Sequence, residues 1–145
     1  MATALITGAS RGLGRTLAEG LGRAGWSLVI DGRNAAALAQ AEAALRPLLR
    51  PGASLVAIAG DVTDPAHRDA LAAAVQGLGG LDVLVNNAST LGLSPLPALI
   101  DYPIDEVRRV LEVNTVAPLA VLQAVWPWLS RSPRPRLVNI TSDAA

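Results

Sequence analysis

The sequence predicts an α/β protein with a doubly wound parallel sheet, helices on both of its faces and the strand order 3-2-1-4-5. Two observations favour this class. Short apolar runs alternate with longer segments of helical periodicity, and a glycine-rich turn joins the first apolar run to the first helical segment. Because crossovers between parallel strands are right-handed, this succession gives the strand order and leaves the fifth strand at the edge of an incomplete sheet.

The first half of the chain supplies three strands and three helices. Each strand is an apolar run, and each helix carries apolar residues three or four positions apart. In chain order the elements are strand 4–6, helix 13–24, strand 27–30, helix 35–49, strand 54–59 and helix 64–78. Asp64 and Pro65 predict the start of the third helix, because aspartate caps helix N-termini and proline fits the first turn.

The second half supplies a fourth strand at 81–85, a proline-rich loop, a long helix at 104–129 and a fifth strand at 136–140. From Val116 onward the long helix is apolar nearly all round. A helix of this kind must be covered on its outer side as well as on the side that meets the sheet.

Composition limits the classes of function. Of the 145 residues, 51% are hydrophobic and 17% charged, which predicts one packed domain over 1–145. Twelve arginines oppose twelve acidic residues, so we expect no binding of nucleic acid or of an anionic membrane. With no cysteine and a single histidine, His67, no metal site is predicted. We expect no secretion leader, no apolar stretch near the roughly 18 residues of a membrane span, and hence a cytoplasmic protein.

The turn between the first strand and the first helix reads TGASRGLG at 7–14. Its glycines let the backbone turn sharply and approach a pyrophosphate, and the following helix presents unpaired N–H groups and a positive dipole end to the same phosphates. A glycine triplet is a weak signal alone but a much stronger one between a strand and a helix. The sequence therefore predicts a Rossmann-like, dinucleotide-binding domain. The alternative is a turn that only needs positive φ angles.

Five motifs follow one another along the chain. They are TGxxxGxG at 7–14, Asp61-Val62, Asn86-Asn87-Ala88, Asn114, and Asn139-Ile140-Thr141-Ser142. In this order and spacing they resemble the short-chain dehydrogenase/reductase family. The resemblance covers the whole chain but only the first part of a fold whose members usually have roughly 250 residues. It implies an NAD(P)-dependent oxidoreductase that transfers hydride between nicotinamide and a carbonyl or secondary alcohol.

The resemblance also implies a set of cofactor-binding residues. In the family, the aspartate after the third strand contacts the adenine ring, and the next residue contacts it through its backbone. The implied cofactor-binding residues are Gly8, Ser10, Arg11, Gly12, Leu13, Gly14, Arg33, Asp61, Val62, Asn87 and Ala88. Asn86 resembles the asparagine that pins the end of the fourth strand, and Ser89 stands where the family has glycine. Asp61 is alternatively a turn residue that bonds its own backbone.

The end of the second strand bears on the choice between NAD and NADP. An acidic residue there accepts hydrogen bonds from the ribose hydroxyls of NAD, whereas arginine pairs with the extra phosphate of NADP. Aligned to the family, Gly32 takes the place of the acid, Arg33 follows it, and Arg11 resembles a second basic residue of NADP-preferring members. We therefore expect NADP, although Asp31 favours NAD and each arginine is alternatively a solvated surface charge.

Asn114 and Ser142 match two catalytic residues of the family. The resemblance implies that Asn114 interrupts its helix and holds a water for a proton relay, and that the Ser142 hydroxyl bonds the carbonyl oxygen being reduced. Pro118 supports a local distortion of the helix. The alternatives are a helix-bending polar residue at 114 and an ordinary turn residue at 142.

The family's proton donor is a tyrosine with a lysine four residues later, whose charge lowers the pKa of the phenol. This chain contains no lysine, its single tyrosine is Tyr102, and Glu106 stands four residues beyond it. We therefore expect a truncated, catalytically incomplete portion of an oxidoreductase for a small-molecule carbonyl or alcohol. The alternative is a non-catalytic NADP-binding or dimerisation module. Family members pack through the helix at 104–129, so we also expect a homo-oligomer.

Overall fold

In the computed structural model, which describes residues 1–142, five parallel strands alternate with helices. The strands are β1 (Thr3–Ile6), β2 (Ser27–Gly32), β3 (Leu55–Ala59), β4 (Val83–Asn86) and β5 (Arg136–Asn139). The helices are α1 (Gly12–Arg23), α2 (Ala35–Leu45), α3 (Pro65–Gly77), α4 (Ile104–Leu111) and α5 (Ala117–Leu129). The strands form one sheet in the order β3-β2-β1-β4-β5, which confirms the predicted fold class and strand order.

The sheet separates two apolar cores, because neighbouring residues of a strand point to opposite faces. Leu5 of β1 packs in the core formed with α3 and α5, while Ala4 and Ile6 pack in the core formed with α1 and α2. Every residue of β1, β2 and β4 is buried, as expected for parallel strands covered on both faces. The carboxyl ends of these strands therefore lie together at one edge of a rigid layer, and their loops form the candidate site.

The second half of the chain departs from the prediction in the long helix. The helix predicted at 104–129 consists of α4, a π-helical turn over Glu112–Val116, and α5. The interruption expected at Asn114 is thus one turn with wider hydrogen bonding, and the helix continues beyond it.

Two other boundaries were predicted too generously. The second helix ends at Leu45 and continues as a 3₁₀ turn over Arg46–Leu48, because Pro47 has no N–H with which to extend the α-helical bonding. The fourth strand begins at Val83, two residues later than predicted.

Strand β5 forms the predicted edge of the sheet. It pairs with β4, and all four of its residues are exposed. Leu137 and Val138, which alternate between the two faces, are 43% and 39% exposed. Within residues 1–142, neither face of β5 is therefore covered in the way that the faces of β1 and β2 are.

One expectation from composition was wrong. The continuous helix Ile104–Leu129 has 26 residues, and its most apolar window has a mean hydropathy of 1.2, so it is long and apolar enough to cross a membrane. Length and composition are weak evidence by themselves, because the core helix of a globular domain passes the same test. In this fold, Val121, Val125 and Leu129 of the helix pack in the core beneath the sheet.

Candidate dinucleotide-binding site

Loops at the carboxyl ends of the strands enclose a cleft of about 500 Å³. Nine of the eleven predicted cofactor-binding residues line this cleft: Gly8, Ser10, Arg11, Gly12, Arg33, Asp61, Val62, Asn87 and Ala88. The other two, Leu13 and Gly14, lie in the first turn of α1 and do not line the cleft. The fold thus brings together four loops that are far apart in sequence.

The glycine turn packs against the end of β4 so closely that side chains would not fit. Gly8 has a φ of +65°, and a Cβ placed on it would lie 2.8 Å from the Cα of Ala88. A Cβ on Gly14 would lie 2.7 Å from the carbonyl oxygen of Gly8 and would also overlap the Asn87 amide. Glycine is therefore required at both positions for the turn to sit where it does.

Hydrogen bonds lock the turn to the loop that follows β4. The backbone N–H groups of Asn87 and Ala88 each donate to Thr7 Oγ1 at 3.0 Å. In return, Asn87 Nδ2 donates to the carbonyl oxygens of Thr7 at 2.9 Å and Gly8 at 3.0 Å. The Asn87 side chain is thus used to hold the glycine turn, so its part in the site is to position the turn.

Helix α1 begins at the cleft without a side-chain cap. Its N-cap residue, Arg11, is extended and makes no capping hydrogen bond, and no acidic residue occupies the first turn. The N–H groups of Gly12, Leu13 and Gly14 therefore lie at the positive end of the helix dipole without an intrahelical acceptor. An anion such as a pyrophosphate suits this position.

On the far side of the cleft, Asp61 forms a tight turn with Thr63. Asp61 Oδ1 accepts hydrogen bonds from the Thr63 backbone N–H at 2.9 Å and from Thr63 Oγ1 at 2.8 Å. Partial burial alone would raise the Asp61 pKa, but these hydrogen bonds and the charges of Arg33 and Arg109 hold it below its ordinary value. Asp61 therefore forms the side-chain turn that was given above as its alternative role, and it also lines the cleft.

Asp31, the acid that favoured NAD, points into the protein. The residue is 1% exposed, and its Oδ1 accepts a hydrogen bond from the Gly8 backbone N–H at 2.6 Å. Its Oδ2 lies 2.9 Å from Nε2 of His67, which is also buried. Both carboxylate oxygens therefore have partners within the protein.

The residues next to Asp31 border the cleft with a different chemistry. Arg33 and Arg11 are exposed at the cleft. Gly32, which lies between Asp31 and Arg33 in the sequence, has no side chain. A Cβ on Gly32 would lie 3.0 Å from Ser10 Cβ, so an acid at this position would press on the glycine turn. Arg11 and Arg33 thus bring positive charge to this end of the cleft, and the charge of Arg33 also acts on Asp61.

Asn114 ties its helix to the loop after β4. Its Oδ1 accepts from the Thr90 N–H at 2.9 Å and its Nδ2 donates to the Thr90 carbonyl oxygen at 2.8 Å. Its own carbonyl lies four residues before Pro118, and proline has no N–H to donate to it. Asn86 Nδ2 fixes the same region by donating to the Pro118 carbonyl oxygen at 3.2 Å and to Asn139 Oδ1 at 2.9 Å.

Ser142 lies just beyond the carboxyl end of β5 and is exposed. Tyr102 lies elsewhere, in the loop before α4, where its hydroxyl oxygen accepts a hydrogen bond from the Leu93 N–H at 3.2 Å. The Tyr102 hydroxyl therefore stabilises this loop. Asp143, to which no role was assigned, lies outside the described residues.

Comparison with known proteins decides the family, because residues 2–145 match the family model described as short chain dehydrogenase. The chain is a member of the short-chain dehydrogenase/reductase family. The family uses nicotinamide dinucleotides, acts on small-molecule alcohols and carbonyls, and is typically oligomeric.

Three similar proteins illustrate the range of this short-chain dehydrogenase/reductase family. 1-Deoxy-11-beta-hydroxypentalenate dehydrogenase of Streptomyces avermitilis is 38% identical over 145 residues, which cover 99% of this chain and 52% of that protein. NAD⁺-bound xylitol dehydrogenase is 30% identical with a TM-score of 0.88, over 99% of this chain and 54% of that one. A metagenomic short-chain oxidoreductase in complex with NADP is 31% identical with a TM-score of 0.85, over 99% and 63%. The chain spans about half the length of such relatives.

Two positioning features of this short-chain dehydrogenase/reductase were missed by the sequence interpretation. The Thr7 hydroxyl is a centre of hydrogen bonds, and its place at the head of the glycine motif was a signal that could have revealed it. The Asp31–His67 pair joins residues 36 positions apart, and no sequence pattern indicated it.

Proposed function

We propose that this chain is the dinucleotide-binding portion of an NADP-dependent oxidoreductase, which transfers hydride between nicotinamide and a carbonyl or secondary alcohol of a small molecule. The observation that carries the proposal is the place of the glycine turn. Gly8 and Gly12 border the same cleft as Asp61, which the family uses for the adenine, and Ala88, which lies beside the ribose in the family. This arrangement supports the binding of a dinucleotide in one cleft.

The residues present fit such a cofactor. The uncapped N–H groups of Gly12, Leu13 and Gly14 would hold the pyrophosphate. The Asp61 side chain and the Val62 backbone would hold the adenine, and Ala88 would lie beside the ribose. When bound, the nicotinamide supplies or accepts the hydride.

NADP is favoured over NAD because the acidic side chain of Asp31 at this end of the cleft is buried, whereas the two arginine side chains are exposed. Asp31 is buried and bonded on both oxygens, so it is not available to ribose hydroxyls. Arg11 and Arg33 border the cleft and are exposed, so two guanidinium groups can pair with a 2′-phosphate. Gly32, where an NAD-binding acid would stand, is crowded by Ser10.

Two residues of this chain would take part in handling the substrate and its proton. Pro118 has no N–H to donate to the backbone carbonyl oxygen of Asn114. That oxygen is therefore suited to accept a hydrogen bond from a water of a proton relay. The Ser142 hydroxyl would donate to the substrate carbonyl oxygen. Because the chain contains no lysine and Tyr102 belongs to a loop, we expect the 145-residue chain alone to be unable to reduce a carbonyl.

The binding part of the proposal is tested by isothermal titration of the purified chain with NADPH and with NADH. We expect NADPH to bind about tenfold more tightly, which corresponds to one added charge-assisted contact. Equal affinities would contradict the NADP assignment, and no binding of either would contradict the function. Carbonyl-dependent oxidation of NADPH by this chain would contradict its catalytic incompleteness.

A second candidate is a non-catalytic NADP-binding or dimerisation module, and the absence of lysine is the observation that favours it. The two candidates differ in the coding sequence that follows codon 145. A continuation that encodes tyrosine and, four residues later, lysine favours the oxidoreductase, whereas an unrelated gene favours the module.

We also infer a homo-oligomer that packs through the 104–129 helix, and a cytoplasmic location. In α5, Val121 and Val125 face the core, whereas Leu119 and Trp126 on the outer side are 56% and 55% exposed. Large exposed apolar side chains on one helix face are typical of a protein interface.

A further inference from the structure

A buried pair of polar side chains lies under the cleft, where one of its members contacts the glycine turn. Asp31 is the penultimate residue of β2, and His67 lies in the first turn of α3, with Asp31 Oδ2 and His67 Nε2 2.9 Å apart. Their side chains are 1% and 4% exposed. A carboxylate can only accept hydrogen bonds, so Nε2 of His67 carries the hydrogen and donates it.

Asp31 also holds the glycine turn through two different groups. Its Oδ1 accepts from the Gly8 N–H at 2.6 Å, and its backbone carbonyl oxygen accepts from the Ala9 N–H at 2.9 Å. Two successive N–H groups at the head of the turn are thus fixed to one residue. The position of that residue's carboxylate is in turn fixed by His67.

The pair is tightly enclosed, which makes it a rigid support. A side chain on Gly60 would overlap the imidazole ring of His67, so the loop after β3 closes directly over it. The connection runs from the glycine turn through Asp31 and His67 to α3, the helix that follows the adenine-side residues Asp61 and Val62. It therefore ties the phosphate end of the cleft to the core that α3 helps to form beneath the sheet.

We propose that Asp31 and His67 are positioning residues that hold the glycine turn in its pyrophosphate-binding conformation. The inference rests on the proposed binding of NADP. By holding the Gly8 and Ala9 N–H groups inward, Asp31 sets the direction of the turn that leads to the uncapped N–H groups of α1. His67 prevents the carboxylate from rotating toward the cleft, where its negative charge would repel a pyrophosphate.

The test compares two ligands and three proteins. NADPH contains the pyrophosphate, whereas adenosine has the adenine and ribose but no phosphate for the glycine turn to bind. The variants are His67→Leu, which removes the donor, and His67→Gln, whose amide can still donate to Asp31 Oδ2. Dissociation constants are measured by titration calorimetry or NMR at a temperature where each protein is folded.

We expect His67→Leu to weaken NADPH binding about tenfold and to leave adenosine binding within about twofold. His67→Gln should recover NADPH binding to within about threefold of wild type. A purely structural role would not give this difference between ligands. If the leucine variant does not fold, the smaller His67→Ala variant serves for the same comparison, with the same expected losses.

Other outcomes overturn the inference. Unchanged NADPH binding in the leucine or alanine variant would show that the pair does not position the turn, and equal losses for both ligands would indicate general destabilisation. A wild-type protein that binds neither ligand would overturn the proposed function, and the inference with it. Wild-type binding with unaffected variants would overturn the inference alone.

Discussion

At the scale of single residues, the side chains at the cleft have two kinds of role. Some would contact a ligand, and others hold the ligand-binding groups in place. Asn87 and Asp31 use their side chains to bond the glycine turn, and the Thr7 hydroxyl ties that turn to the loop after β4. Arg11, Arg33 and Asp61 border the cleft. Substitutions in the first set should affect every dinucleotide, whereas those in the second should affect particular parts of it.

The first prediction concerns the two arginines. Arg33→Ala or Arg11→Ala should weaken NADPH binding about tenfold, because each removes a guanidinium that would pair with the 2′-phosphate. NADH, which lacks that phosphate, should bind as before. Arg108→Ala is the control, since Arg108 is exposed on α4 and pairs with Asp105. If NADH and NADPH lose affinity equally, the arginines do not read the 2′-phosphate. Titration calorimetry measures both ligands.

The second prediction concerns acid stability. Because the Asp61 pKa is lowered in the folded protein, its ionised form contributes stability above the ordinary value of 3.8. That contribution is lost as the pH falls below 3.8 and through the lowered pKa of the folded state. Asp61→Asn should therefore lower the urea midpoint near neutral pH but less near about pH 3. Asp69→Asn, exposed on α3, is the control. A pH-independent difference would contradict the assignment.

Residue types at strand ends predicted much of the cleft, because parallel strands bring their carboxyl ends to one edge of the sheet. Side-chain direction could not be predicted in the same way. Asp31 stands beside the position of an NAD-binding acid, yet it faces His67, a partner supplied by another element. Such long-range pairing has no signal in a single sequence.

At the scale of elements, periodicity predicted where strands and helices occur but not their irregularities. The apolar runs of β1 and β2 and the Asp64-Pro65 start of α3 are where they were expected. Asn114 and Pro118 indicated a distortion of the long helix, but not its form, in which the Ala117 N–H donates to the Glu112 carbonyl oxygen.

The third prediction concerns the element that Asn114 anchors. Asn114→Ala should remove both hydrogen bonds to Thr90 and lower the free energy of unfolding by about 1 kcal/mol, the lower end of the usual range because the bonds lie near solvent. The Thr90 amide should then exchange its hydrogen faster. Gln123→Ala, exposed on α5, is the control. Unchanged exchange at Thr90 would contradict this role for Asn114, and NMR-detected exchange measures it.

At the scale of the whole molecule, the handedness of crossovers was sufficient to predict the order of the strands. It also placed β5 at the edge, where all four residues are exposed. Composition was less reliable, since it did not reveal that the helix Ile104–Leu129 is as long and apolar as a membrane span. Exposed apolar side chains of the described residues lie on β5, on the outer side of that helix and in the loop at 91–100.

The fourth prediction concerns assembly. If copies of the chain pack through the 104–129 helix, charges on its outer side should separate them, because a buried unpaired charge is costly at an interface. Leu119→Glu together with Trp126→Glu should convert an oligomer into a monomer, because both side chains are more than half exposed in the single chain. Gln40→Glu, exposed on α2 at the opposite face of the sheet, should leave the mass unchanged. Light scattering after size exclusion gives the mass. A wild-type protein that is monomeric at every concentration, or a double variant with the wild-type mass, would show that this helix is not the interface.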